Sequence, residues 1–221
     1  MAKSTSAWKP FEKWLAQEVE NEFALKRHFQ FSEYDNLVNQ LPDLTSEEAI
    51  ELEKKRQKLF LFVDAWSEED LKMNFISLVL DIVDFQHEGR KYRTFFDYNL
   101  KAILKGEPIT GKVDCLLAKG TQIAENPIFF LQVYKPEKRQ SSDPLGQLLI
   151  AMLASQQLNN DVESPLYGCY IIGRMWFFVV CKGSDYIVSD VFESTKKEDL
   201  ENITRILKKI KNLYEIKLHI Q

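Results

Sequence analysis

Residues 109–120 read ITGKVDCLLAKG, 126–138 NPIFFLQVYKPEK, 143–159 DPLGQLLIAMLASQQLN and 167–181 YGCYIIGRMWFFVVC. In order they predict a strand, a second strand, a helix and a pair of strands, because short apolar runs alternate with turn residues and one longer run has helical spacing. Two polar residues sit where packing alone would not put them. Asp114 interrupts an apolar strand (Val113, Cys115, Leu116, Leu117), although aspartate is depleted in strand interiors because its short side chain competes for backbone hydrogen bonds. Lys135 closes IFFLQVYK, whose nearly continuous apolar run predicts a central strand covered on both faces.

The remainder of the chain narrows the class. With 221 residues, 45% hydrophobic and 28% charged, it can bury one substantial core, or one domain with a helical appendage. No segment approaches the roughly 18 apolar residues that span a bilayer, and residues 1–14 lack the apolar run of a secretion signal, so a cytoplasmic protein is expected. Cys115, Cys169 and Cys181 are embedded in apolar strands and are expected as reduced core residues. His28, His87 and His219 lie far apart and near no motif, which argues against serine- or cysteine-histidine catalysis. The net charge of −4 does not mark a nucleic-acid binder, but residues 99–140 carry seven basic against four acidic side chains, a basic rim around Asp114.

Residues 1–62 predict a helical N-terminal extension and residues 63–221 the main domain. Trp8, Phe11, Trp14, Leu15, Val19 and Phe23 recur at helical spacing, a stripe suited to core or to a second copy of the chain. A short helix is expected from Ser32 to Leu41, stopped by Pro42. Thr45 with Glu48 predicts a capping box for a third helix, and Ser67 an N-cap for a fourth. In that fourth helix Glu68, Glu69 and Asp70 occupy the first turn, and Leu71, Phe75, Leu78, Val79 and Ile82 form the apolar stripe. Acids there suit the helix dipole, and can equally deliver a carboxylate to a site formed by Asp114.

Residues 92–120 predict an antiparallel meander turning at Lys105-Gly106-Glu107. The run GEPITGK (106–112) matches the first seven positions of a phosphate-binding loop, yet Val113 stands where a magnesium-binding hydroxyl is required and a strand follows instead of a helix. Asp143-Pro144 predicts an N-cap with proline in the first turn. Gln147, in the first turns of that helix, is then near the end of the strand that carries Lys135. Arg174 is expected as a solvated turn residue, and Thr195 with Glu198 as the capping box of a final helix through Ile203, Ile206, Leu207 and Ile210.

An in-strand Asp, a second strand ending in Lys135 and a following helix bearing Gln147 resemble the PD-(D/E)XK nuclease superfamily. The likeness runs from about Trp66 to the C-terminus, through WSEEDLKMNFI, ITGKVDCLLAKG, PIFFLQVYK, DPLGQLLIAMLASQ and YGCYIIGRMWFF, and is closer still to an uncharacterised bacterial family of that fold. It implies an α/β fold of restriction-endonuclease-like type, a mixed central sheet flanked by helices, and hydrolysis of DNA phosphodiester bonds with Mg2+ or Mn2+. By the same resemblance Asp114 would be the bridging metal ligand, with Glu68 or Glu69 completing the shell. Lys135 would orient the attacking water, Gln147 would contact phosphate, and Lys112, Lys138 and Arg139 would meet the DNA backbone.

One position departs from the pattern. The superfamily places an acid two residues before the lysine, and this chain has Val133. Loss of a partner to a metal ligand costs about 10- to 100-fold in affinity or activity, so loss of a ligand costs at least that. Glu137, about 13 Å along the strand from Val133, is too far to replace it. Three functions therefore stay open: a weakened Mg2+-dependent nuclease, an inactive nuclease-fold module that binds nucleic acid or protein, and a structural dimer built through the N-terminal helices.

Overall fold

The computed structural model describes residues 9–137 and 142–220; Trp8, Lys138 and Arg139 lie outside them. The elements in chain order are a 3₁₀ turn (Phe11–Lys13), α1 (Ala16–Phe23), β1 (Lys26–His28), α2 (Ser32–Val38), α3 (Ser46–Phe62) and α4 (Glu68–Leu71). A π turn (Lys72–Ile76) joins α4 to α5 (Ser77–Val83). Then come β2 (Tyr92–Leu104), β3 (Glu107–Lys119), β4 (Glu125–Lys135), α6 (Pro144–Asn159), β5 (Leu166–Ile172), β6 (Met175–Lys182), β7 (Asp185–Val188), β8 (Phe192–Glu193) and α7 (Lys197–Lys217).

These strands form one mixed sheet of eight in the order β1-β7-β6-β5-β4-β3-β2, with β8 beside β6. β2, β3 and β4 are the expected antiparallel meander, and α6 crosses over to place β5 parallel to β4. Helices cover both faces. Buried side chains of α3, α4, α5 and α7 form one apolar cluster with Phe130, Tyr134 and Trp176, whereas α6 and α1 form the other with Val113, Leu116 and Val133. This is the α/β architecture expected from the four segments, a mixed sheet between two helical layers, consistent with a restriction-endonuclease-like fold. No helix among the described residues is long and apolar enough to cross a membrane.

Local chemistry explains most boundaries. The Thr45 hydroxyl accepts the Glu48 N–H and the Glu48 carboxylate accepts the Thr45 N–H, a reciprocal cap on α3. Ser67 and Asp70 cap α4 in the same way. Asp143 accepts the N–H groups of Leu145 and Gly146 at the start of α6, with Pro144 in the first turn. In α7, Leu200, Ile203, Ile206, Leu207, Ile210 and Tyr214 are buried, each contributing about 2 kcal/mol of apolar transfer free energy.

Elsewhere the chain departs from the sequence expectations. The first stripe is not one helix: the 3₁₀ turn ends at Trp14, Trp14 and Leu15 are extended, and α1 begins only at Ala16. Phe11, Trp14 and Val19 are buried, but Leu15 points outward. The second helix stops at Val38, because Asn39 is already extended. The π turn rotates the helix after Ser67, so its buried residues are Leu71, Phe75, Ile76, Val79, Leu80 and Val83; Leu78 and Ile82 are only half-buried. Thr195 does not cap α7. Its hydroxyl bonds the Glu193 carboxylate, and the N-cap position falls on Lys196. Arg174 is not solvated either, since its guanidinium holds Glu137 through two hydrogen bonds of 2.8 and 2.9 Å.

β1 belongs to the N-terminal segment yet forms the sheet edge, pairing parallel to β7 with Lys26 opposite Asp185 and His28 opposite Ile187. Two glycines admit that segment. A Cβ on Gly111 would lie 2.0 Å from Phe11 Cγ, and one on Gly146 would lie 2.3 Å from the Trp14 carbonyl oxygen, so only glycine lets the chain approach β3 and α6 so closely.

Candidate functional site

The site forms beside the π turn, where the pairing of β3 with β4 ends while β3 continues along β2. The β3–β4 register ends at Cys115 opposite Gln132. The Tyr134 N–H therefore has no strand partner on that side and donates instead to Asp114 Oδ2 at 2.8 Å. Asp114 Oδ1 meets the Lys72 ammonium at 2.7 Å. The in-strand aspartate thus satisfies an end-of-sheet N–H and faces a cation from the helical layer.

Lys72 is the hub. Its Nζ also lies 3.5 Å from Glu68 Oε1 and 3.6 Å from Asp97 Oδ1, and 5.8 Å from the centre of the Tyr134 ring. Asp97 holds Lys112 at 3.0 Å, and Glu68 reaches Lys135 at 3.7 Å. One network therefore runs Lys112, Asp97, Lys72, then Asp114 on one branch and Glu68 with Lys135 on the other. Burial pulls the Lys72 ammonium down, but the hydrogen bond and charge of Asp114, with Glu68 and Asp97 behind it, outweigh burial and hold its pKa above the usual lysine range. The hydrogen bond from Lys112, against some desolvation and reinforced by the charge of Lys72, holds Asp97 below the usual carboxylate range.

Two backbone irregularities aim these groups. The π turn begins at Lys72 itself. Across from it, β2 keeps its register with β3 on both sides of Asp97, Phe96 opposite Cys115 and Tyr98 opposite Val113, but Asp97 itself is left out of the ladder and adopts a left-handed φ of 51°. The Asp97 carboxylate reaches both Lys112 and Lys72.

Of the residues named from sequence, Asp114, Lys135, Glu68 and Lys112 are brought into this network, and Glu69 lines the cavity beside it. Gln147 is buried on the other helical layer, where its Nε2 donates to the Lys112 carbonyl at 3.1 Å and its Oε1 has no partner among the described residues. Gln147 is therefore tied to the strand beneath the site and does not enter the ion network. Lys138 and Arg139 lie outside the described residues. Lys72, Asp97, Phe96 and Met73 were missed. Two signals were available: Lys72 stands four residues after Glu68, the favourable orientation for a helical ion pair, and Asp97 is a second aspartate inside an apolar strand.

Do these residues suit Mg2+ or Mn2+? Val133 is fully buried in the apolar cluster on the α6 side, among hydrocarbon side chains and away from the layer that holds Lys72. Asp114 has an ammonium on one oxygen and an N–H on the other. Glu68 is shared between two lysines. Among the described residues no group of three or more His, Cys, Asp or Glu side chains is placed to hold a metal ion. A hard divalent cation needs converging oxygen ligands at about 2.0 to 2.6 Å. Here the carboxylates converge on an ammonium, and the donor set does not fit the ion.

A cavity of about 270 Å³ opens onto the network, lined by the apolar Met73, Ile76 and Phe96 and by Glu69, Lys72, Asp97, Asp114 and Tyr134. A larger hollow of about 460 Å³, lined by Phe23, Leu104, Leu153 and Gln156 among others, carries no charged side chain. The smaller cavity is where charge, exposed aromatic surface and irregular backbone coincide.

No family model matches the chain, and no curated protein matches it. Among solved structures, it is similar to a chain of the cryoEM structure of a DrdV-DNA complex, at 12% identity and a TM-score of 0.41, over 74% of this chain and 14% of that one. The chain thus spans a small part of the length of that neighbour.

Proposed function

We propose that this chain is a DNA-binding protein of nuclease architecture that does not hydrolyse its ligand. The observation that carries the reading is the Lys72 ammonium 2.7 Å from Asp114, while the position of the other expected acid is Val133, buried on the α6 side. A metal-dependent nuclease needs that carboxylate free for a cation; here its charge is spent on a lysine of the same chain. The α/β frame, with Lys135 at the end of β4 and Lys112 two residues before Asp114 in β3, supports nucleic acid as the ligand. Lys112 is half exposed and can add a phosphate contact, while the half-buried Lys135 is held by Glu68.

The test is a gel shift with duplex DNA beside a plasmid-nicking assay containing Mn2+, on the native chain, Lys112→Ala and Asp114→Ala. Expected are saturable binding that survives chelation, weaker binding with a shallower salt dependence for Lys112→Ala, and no nicking by any chain. Mn2+-dependent nicking by the native chain that disappears in Asp114→Ala overturns the reading, as does the absence of DNA binding.

A further inference from the structure

We propose that the cavity between the π turn and the Phe96–Asp97 stretch of β2 holds a single unstacked base of the bound DNA, with a guanine edge read by the carboxylates of its lining and Lys72. The inference rests on the DNA-binding reading and names what the site takes.

Size and shape come first. At about 270 Å³ the cavity lies at the small end of ligand pockets, suited to one ring system and too small for a nucleotide pair. Its mouth is framed by two large apolar side chains that face water, Met73 at 65% and Phe96 at 54% exposure. Exposed side chains of this kind cost stability unless something covers them, and a flat base is covered by stacking on an aromatic face or a thioether. Pockets that receive a base from a duplex have this construction, with apolar walls beside hydrogen-bonding groups.

Charge selects the part of the ligand that enters. The lining itself carries one ammonium, Lys72, and three carboxylates, Glu69, Asp97 and Asp114. A phosphate would face those three carboxylates, and a cation would meet the ammonium of Lys72. An uncharged heterocycle bearing both donors and acceptors meets neither penalty.

Hydrogen-bond polarity then selects among the bases. Asp114 is committed to Lys72 and to the Tyr134 N–H, so the carboxylates left for a ligand are Glu69, which lines the cavity, and Asp97, whose side chain is 55% exposed and whose Oδ1 alone takes Lys112 and Lys72. A carboxylate pairs best with two adjacent N–H donors. Guanine presents such a pair, its ring N1–H and exocyclic amino group, next to a carbonyl that suits an ammonium such as Lys72. Adenine and cytosine set their amino group beside a ring acceptor, and thymine sets its single N–H between two carbonyls.

The test is calorimetric titration of the full chain with deoxyguanosine, deoxyadenosine, deoxycytidine and thymidine, with duplex binding measured on the same preparations. Saturable binding of deoxyguanosine is expected, at least tenfold tighter than the other three. Phe96→Ala and Asp97→Asn should each weaken it at least tenfold while the far-UV circular dichroism and a cooperative melt are kept; both side chains are exposed, and asparagine tolerates the left-handed backbone. Equal affinity for the four nucleosides, no saturation by any of them, or undiminished deoxyguanosine binding in both variants overturns the proposal. Duplex binding without nucleoside binding removes the pocket and leaves the DNA reading. Nucleoside binding without duplex binding removes the DNA reading instead.

Discussion

Lys72 and Asp114 belong to different layers of the molecule, a π turn and a strand interior, and close on one another at 2.7 Å with Asp114 about nine-tenths buried. Each would be costly there alone, since a buried charge without a partner is unfavourable by several kcal/mol. The pair is therefore a mutual requirement of the fold.

Removing one member leaves the other uncompensated. Lys72→Met should lower the unfolding free energy in urea by about 2 kcal/mol, below the roughly 3 to 5 kcal/mol of fully enclosed pairs because solvent reaches the cavity mouth. Lys72→Met with Asp114→Leu should recover part of that loss. Additive losses in the double variant would show that the two groups are not coupled.

The signs of the two shifted groups set the pH response. Lys72 is raised in the folded state, so its contribution is whole below the unfolded lysine value of about 10.4 and is lost as pH rises through the folded value. Asp97 is lowered, so its contribution is whole above about 3.9 and is lost as pH falls through the folded value. On the alkaline side of neutrality the stability difference between the native chain and Lys72→Met should stay flat and narrow only in strong base. On the acid side that between the native chain and Asp97→Asn should stay flat and narrow only as the carboxylate is protonated. Urea titrations across the pH range read both, and narrowing of the Lys72→Met difference between pH 7 and 9 contradicts the assignment.

The docking of the N-terminal segment depends on the absence of one carbon atom at Gly146. Gly146→Ala should force the Trp14 backbone off α6, at about 1 to 3 kcal/mol for overpacking. Trp14, 6% exposed, would gain solvent, so a red shift of tryptophan emission with earlier proteolysis before residue 30 is expected. Unchanged emission and digestion would mean that the segment adjusts without undocking.

Val133→Glu, the substitution that completes the superfamily's motif on paper, places a carboxylate in hydrocarbon. With Val133 fully buried on the α6 side, it should destabilise by about 3 kcal/mol or more. Thermal melting with and without Mn2+ checks this: the loss should be the same in both. Recovery of stability by Mn2+ would show that this position still opens onto an ion site.

The fold was legible where one layer of chemistry settles one outcome. The apolar run 128–134, the cap at Asp143 and the Thr45–Glu48 box each act within a few residues, and each formed as read. Where two elements negotiate, sequence spacing misled. The stripe from Phe11 to Phe23 is broken because Trp14 and Phe11 are drawn to different glycines, Gly146 and Gly111. Asp114 was visible as an aspartate out of place, but its partner was not, because Lys72 reaches it only after a π turn that no spacing rule shows. Asp97 carried the same signal as Asp114, an acid inside a strand, yet its left-handed backbone leaves no trace in the spacing.

The parallel pairing of β1 with β7 sets an order of events for the growing chain. Residues 26–28 leave the ribosome well before their hydrogen-bonding partners at 185–187. Until then the outer strand has no template, and the stretch around it must be kept from pairing with strangers. Closure of that margin thus waits for residues far along the chain, and a chain truncated before Asp185 would leave β1 unclaimed.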